Sequence, residues 1–504
     1  MTIDSGAVQQ SAPVADRRSF LPWSRSSTFQ PRIIPQIDQH PGIIAYVQHL
    51  PGRVLLFGGY ALLFGWLGGN IFVVALAAAT AFAGRYRWHV ILLGTLLLLG
   101  QHNFWVDTPL VKFVAQQEGV ADQIDQLLLF SGTLALVFLF CSSVLLFWHR
   151  IAAVALFRRS TLCLIVGFVG LVLVAESPIA GGVPRVLLWS FLMTLLPYFW
   201  FLAYALADAG ARERPPLWQH LSVFHPFWGS SLTPFGKGPS YLRRFEAKTE
   251  HELAVTQLKG LKLVAWTFVL ATCLNSFRGL IHGYLAVPGI DEAFLQYLAG
   301  TPDPRYLVFG SLAAFFVEDL LDMTVWGGLI VSCARMAGFR LLRNTYNPVG
   351  ATTLAEFWNR YYFYYKELLL DHFFYPAFLR YFRTNRKLRM FFATFAAACV
   401  GNLIFHFIRD IRFVVQLGLW KALAGEASHA FYTLLVSIGI GLSQLRAGGG
   451  TASKGWLRDR ALPCAGVVLF FCILHVFDAP LDREHSIWQR GEFLLYLLGL
   501  DTWI

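Results

Sequence analysis

The apolar run "FFATFAAACVGNLIFHFIRDIRF" (391–413) carries a histidine, His406, well before the Arg409, Asp410 and Arg412 that end it. At 1.5 Å per residue, a helix entering after the basic segment that precedes this run brings the imidazole about 20–25 Å along its axis. An ionisable group at that depth is costly without a partner, and this makes it a functional candidate. Imidazole is the usual general base near neutral pH, so the chemistry it suggests is removal of a proton from a hydroxyl. Asn402 stands at i−4, on the same helical face. A neutral histidine hydrogen-bonded inside a helix bundle is the structural alternative. No GxSxG or other nucleophile signature lies beside it, which favours direct transfer onto an acceptor over a covalent enzyme intermediate.

A second chemical stretch is "FWNRYYFYYKELLLDHFFYP" (357–376), half aromatic and also carrying Arg360, Lys366, Glu367, Asp371 and His372. Thr353, followed three residues later by Glu356, is a capping-box start for a helix, and Pro376 is its expected stop. Trp358, Tyr361, Tyr362, Tyr365 and Leu368 then fall on one stripe, with Asn359, Arg360, Phe363, Lys366, Glu367 and Asp371 turned more to the other side. This predicts an amphipathic helix dipping into a membrane from the cytoplasmic side. Two accounts of it stand together. It is an interfacial anchor, since Tyr and Trp favour the headgroup level, or it is the wall of a polar cavity at membrane depth.

Other titratable groups give weaker signals. His251 lies in a charged loop, His429 opens an apolar run and His282 ends one, while His102 in "GQHNFWVD" and His372 beside Asp371 are candidate cavity residues. In "FFVEDLLDM" (315–323), Asp322 follows Glu318 by one turn, and at least one of these carboxylates should face protein or water. Seven cysteines, at 141, 163, 273, 333, 399, 464 and 472, lie mostly in apolar runs without a CxxC or Cys/His ligand spacing, so they read as small apolar packing residues, and no metal site is expected.

The elements that must position these groups are apolar helices. Of 504 residues, 56% are hydrophobic and 14% charged, against about 25% charge in an ordinary soluble domain. Mean hydropathy is +0.53. The sequence therefore predicts an all-α polytopic membrane protein. Candidate spans fall at 53–83, 88–101, 126–147, 151–175, 184–207, 261–285, 305–338, 388–408, 428–445 and 461–478, with a short apolar tail at 492–504, giving about ten or eleven membrane segments. The first is long enough for two short helices broken at "GWLGGN" (65–70). Net charge is +11, but the Lys and Arg lie between apolar runs, which fits the positive-inside rule rather than nucleic-acid binding. The basic loops 242–262, 340–344, 380–389 and 446–460 are expected in the cytoplasm, and the acidic loop 288–304 outside. The polar start of the chain reads as a cytoplasmic tail within 1–50, not a cleaved signal peptide. Residues 51–210 then form a first set of transmembrane helices, 211–445 hold the chemical stretches, and 446–504 give a C-terminal loop and helices.

Taken together, "GFRLLRNTYNPVGATTLAEFWNRYY" (338–362) and the stretch that continues it resemble the membrane-bound O-acyltransferase (MBOAT) family, in the bacterial branch typified by the membrane component of alginate O-acetylation. The family's Arg-Trp-His, Asp and aromatic run ending in Pro fall on Arg360, Tyr361, Tyr362, Asp371 and Pro376. "FGKGPSYLRRF" (235–245) resembles its Gly-Pro segment, "DLLDM" brings Asp322 to its membrane-embedded Asp, and "IFH" brings His406 to its "LWH" histidine. The similarity spans roughly 220–445. Tyr362 stands where the family has its first histidine, and Phe407 where a glycine usually follows the second.

The resemblance implies an MBOAT-like bundle with re-entrant or amphipathic cytoplasmic helices around a central tunnel, in a bacterial inner membrane, with a cytoplasmic N-terminus. It implies a cytoplasmic thioester donor, acyl-CoA or acyl-carrier, and an acceptor hydroxyl on a cell-surface glycan or lipid, with no bound cofactor. An extracytoplasmic partner protein is a further expectation. His406 would be the base, with Asn402 and Tyr362 orienting; Trp358, Asn359, Arg360, Tyr361, Lys366, Asp371 and Asp322 would line the substrate path. Arg360 and Lys366 either meet donor phosphates or form ion pairs with Glu367 or Asp371. A transporter with His406 and Asp322 on a proton path, and an MBOAT-fold protein that binds or scaffolds without catalysis, are the rival readings. The absence of an internal repeat lowers the transporter reading.

Overall fold

Glycine and asparagine punctuate the first apolar stretch, and helices Leu50–Trp66 and Ile71–Phe82 separate there. Gly68 takes φ +79°, which costs glycine nothing, and the Asn70 side chain accepts from the Phe72 amide at 2.9 Å to open the second helix. A computed structural model describes residues 34–100, 108–151, 159–209, 215–446, 455–478 and 485–500. The first 33 residues of the expected tail, His102, most of the basic loop 446–460 and the last four residues lie outside the described residues. Among the described residues the regular secondary structure is all helical, with no strand; one isolated antiparallel bridge joins Glu246 to Phe339.

Five helices are long and apolar enough to cross a membrane: Leu128–Phe147, Val183–Ala209, Glu250–Tyr284, Arg386–Arg409 and Leu457–Asp478. A sixth arises if Leu419–Gly425 and Ala427–Leu445, bent by 43° at their junction, count as one span. Leu50–Trp66, Ile71–Phe82 and Ser160–Glu176 are apolar but shorter. The apolar window of Val183–Ala209 is 72% buried, whereas that of Leu128–Phe147 is 28% buried. The first is thus central in the bundle, and the second keeps an apolar outer face suited to lipid.

Helices Glu250–Arg278 and Arg305–Met336 pack along each other. Gln257 Nε2 donates to the Met336 carbonyl at 3.1 Å, and Gly328 lets the backbones close. A Cβ on Gly328 would lie 2.2 Å from Thr267 Oγ1, and that hydroxyl is held against the Leu263 carbonyl at 2.9 Å. Gly328→Ala is expected to destabilise the fold by about 1–3 kcal/mol through overpacking, read as a lower melting temperature in detergent. An unchanged melting temperature would show that the contact has slack.

The apolar interior divides into two clusters. The larger takes in the N-terminal helices, residues 330–341, Tyr364–Leu369 and Phe405–Val415. The smaller gathers Phe316, Phe357, Tyr432, Phe471 and Phe493 with their neighbours. Trp358 packs against both, and the cavity described below opens along this seam.

The expected single helix over 353–376 is instead a broken series. Thr353 caps it, its hydroxyl accepting from Glu356 N at 3.1 Å. Glu356 reaches back to Thr352, not Thr353, accepting from its N at 2.7 Å and its hydroxyl at 3.0 Å. The helix Leu354–Tyr361 ends at Tyr362, with φ −130° and ψ 84°, and a second helix runs Phe363–Leu369. A π-helical turn follows at Leu370–Phe374. Pro376 does not stop the helix: the π-turn Leu370–Phe374 runs directly into Tyr375–Arg380, and Pro376 lies within that helical run.

Candidate active site

Just before the isolated histidine the helix widens into a π-turn, Ala396–Gly401, a device that re-aims side chains and is frequent at functional sites. The α-helix Asn402–Arg409 continues from it. Its inner face carries Asn402, Phe405, His406 and Arg409 into a cavity of about 590 Å³. The broken segment supplies Phe357, Trp358, Tyr361, Tyr362 and Tyr365 to the same cavity, and the loop Gly229–Thr233 supplies another side. The break at Tyr362 lets rings from two short helices face one space. The volume falls in the range of small-molecule sites, and the apolar lining with a few convergent polar groups is typical of them.

His406, Asn402, Tyr362, Trp358 and Tyr361 are thus brought together. Burial pushes the Tyr362 phenol above its ordinary value, with Thr233's hydrogen bond acting the other way. At neutral pH it is a hydrogen-bond donor and no base. The Tyr361 hydroxyl donates to Asp319. Burial holds His225, on the loop side, down to about 4, so it is neutral near pH 7.

The other expected substrate residues lie elsewhere. Asp322 is not the cavity carboxylate: it faces outward, paired with Arg278, and Asp319, almost one turn earlier, lines the cavity instead. Arg360 pairs with Glu356, four residues back, and donates to the Asn347 carbonyl at 3.2 Å. Lys366 meets Glu367 at 3.2 Å. Asp371 and Glu367 both hold Lys237, at 2.5 and 2.9 Å. Burial alone would lower the Lys237 ammonium, but the two carboxylates raise it on balance. Burial would raise Glu367, and Lys237 and Lys366 bring it below the usual carboxylate range. Asn359 and Lys366 line a separate small cavity of about 100 Å³, with Trp358 as the ring common to both. His372 is buried against Thr161, its Nδ1 2.8 Å from the hydroxyl, and is absent from the main cavity's lining.

Sequence reasoning undervalued the C-terminal helices. His429 and Tyr432 of helix Ala427–Arg446 and His475 and Asp478 of helix Leu462–Asp478 complete the wall. His429 Nδ1 lies 2.9 Å from Asp478 Oδ1, and its Nε2 lies 3.2 Å from Asn402 Oδ1. The His406 and His429 ring centres are 4.0 Å apart. Buried Trp358 Nε1, Tyr365 Oη and His475 Nδ1 have no hydrogen-bond partner among the described residues, and all three residues belong to the cavity wall. A signal existed for the pair, since an apolar span ending in Asp478 is unusual, but its partner is 49 residues away in the chain.

Among the described residues no three His, Cys, Asp or Glu side chains converge to hold a metal ion. Compared with models of known protein families and with curated proteins, the chain matches none.

Proposed function

We propose that the chain is a membrane-bound O-acyltransferase that moves an acyl group, acetyl or short, from a cytoplasmic thioester to a hydroxyl on a glycan or lipid-like acceptor. The observation that carries this reading is the common cavity of His406, Asn402 and the ring-rich segment 357–365. The resemblance of 338–376 to the MBOAT family supports it and implies a tunnel among the helices in a bacterial cell membrane; the apolar runs and the polar start of the chain add about ten or eleven membrane segments and a cytoplasmic N-terminus. The two partners of the reaction, acyl-CoA or an acyl carrier on one side and the hydroxyl on the other, would meet at His406.

The imidazole takes the hydroxyl proton as the oxygen attacks the thioester carbonyl. Tyr362, kept protonated by burial, is a donor for the oxygen that becomes negative. The aromatic walls exclude water, which would otherwise intercept the acyl group, and hold the two reactants in contact. Arg360 and Lys366 are taken up in ion pairs with near neighbours in the chain and Asp371 in one with Lys237, so the donor is gripped mainly by shape and apolar contact.

A second reading, a proton pathway without acyl transfer, draws on the titratable groups His406, His429, Asp478, His475 and Asp319 around the same cavity. Purified protein given labelled acyl-CoA and hydroxyl acceptors separates the two. Label found in an ester of the acceptor supports the transferase. Proton flux in liposomes with no labelled ester supports the pathway.

A further inference from the structure

The chemistry above uses His406 alone, yet a second histidine faces it. His429 has an oxygen before each ring nitrogen: Asp478 Oδ1 at 2.9 Å from Nδ1 and Asn402 Oδ1 at 3.2 Å from Nε2. Two acceptors are satisfied by a ring that donates from both nitrogens, the imidazolium, and the adjoining carboxylate balances its charge. Turning the Asn402 amide would offer a donor in place of that second acceptor, and the ring would then be neutral. Asp478 and His406 lie against His429, Tyr432 of its own helix stacks on it, and His475, Arg409 and Asp319 line the same cavity.

We propose that His429, held at Nδ1 by Asp478, gives its Nε2 proton, released from Asn402 Oδ1, to the departing sulfur, so that the site works with two histidines of opposite role. This rests on the acyl-transfer reading. The balance is complete. The acceptor's proton passes to His406 and its oxygen bonds to the carbonyl carbon. The C–S bond breaks with its electron pair going to sulfur, and His429 protonates the sulfur. The products are an ester and a neutral thiol. His406 is left protonated and His429 neutral, and one proton passing from a ring nitrogen of His406 to His429, whose tilted ring centres are 4.0 Å apart, resets the pair. A proton donor matters here because an unpaired thiolate is poorly solvated among apolar rings. Tyr362 cannot supply it and remain the donor to the carbonyl oxygen.

The test compares two donors with one acceptor: an alkyl thioester such as acyl-CoA, and an aryl thioester whose thiol is several units more acidic. A sulfur that leaves readily as the anion has little need of an acid, so leaving-group dependence is the signature. His429→Asn keeps a donor toward Asp478 but cannot titrate. It is expected to lower kcat with the alkyl donor by about 10²-fold and with the aryl donor by less than about tenfold, with KM little changed. Asp478→Asn is expected to show the same donor dependence, and it carries the test if His429→Asn does not give a monodisperse, cooperatively melting protein. Equal losses with both donors, or wild-type rates with both, would overturn the two-histidine scheme while leaving acyl transfer standing. A wild type that transfers from neither donor would instead remove the acyl-transfer reading, and this scheme with it.

Discussion

His406→Ala is expected to lower acyl transfer by about 10²–10⁴-fold, the usual contribution of a positioned general base, while the protein still folds. His406 is only partly buried and its ring borders the cavity, so truncation enlarges an existing space and removes little core packing. Loss of activity with an unchanged melting temperature then separates chemistry from stability. The defect should lie in kcat, because the proposed base gains its proton in the transition state and the rings of Trp358, Tyr361 and Tyr365, proposed to hold the donor, are untouched. The measurement is initial rate against donor concentration for wild type and variant. A variant within about threefold of wild type would remove His406 from the proton transfer, since a loss that small is below the range expected of a base.

Lys237→Met is expected to destabilise the protein by about 3 kcal/mol. The Lys237 side chain is 9% exposed and its two carboxylates are 21% and 28% exposed. Removing one partner of a buried ion pair costs about 3–5 kcal/mol, because a charge is left without compensation, and the partial exposure of Glu367 and Asp371 sets the value at the low end. The variant also reverses a pH dependence. In the wild type, Glu367 titrates below its ordinary range, so its contribution is present above the unfolded value and is lost as pH falls through the folded one. Lys237 titrates above its ordinary range, so its contribution is lost only as pH rises through that higher value. In the variant two neighbouring carboxylates have lost their shared cation, and acid relieves them by protonation. Melting temperatures between pH 4 and pH 8 should therefore show the gap between wild type and variant narrowing toward pH 4. A gap that is constant across this range would mean that the lysine acts through packing alone.

Which parts of the site are legible in the sequence follows from the range of the interactions involved. The two helices either side of Gly68 and Asn70 are written in local residues, as is the cap at Thr353. The pairing of Arg360 with Glu356 is also local, at i,i+4, although sequence reasoning offered Glu367 or Asp371 as partners. The stripe of Trp358, Tyr361, Tyr362 and Tyr365 follows from helical spacing, but the break at Tyr362 does not, because its cause lies in other segments: the Phe363 amide bonds to the Asn344 carbonyl at 2.9 Å, and Thr345 Oγ1 to the Tyr361 carbonyl at 2.7 Å. Pro376 misleads for a related reason, since a proline that ends a helix and a proline carried within a helical run after a π-turn look alike locally. The exchange of Asp322 for Asp319 is a matter of helix rotation. Arg278 and Asp322 sit on one side of the packed pair, and a shift of three residues selects the carboxylate that turns toward Tyr361. The pairs His429 with Asp478 and Lys237 with Asp371 join distant parts of the chain, and no periodicity records them.

The most direct test is a structure of the protein with a thioether analogue of the acyl donor, in which sulfur cannot be displaced. The expected result is the analogue's acyl end in the cavity between His406 and Tyr362, with the carbon that replaces the carbonyl near His406 and the sulfur toward His429. An analogue bound with its acyl end outside that cavity, in a preparation that transfers the native donor, would contradict the assignment of this cavity as the place where the ester forms.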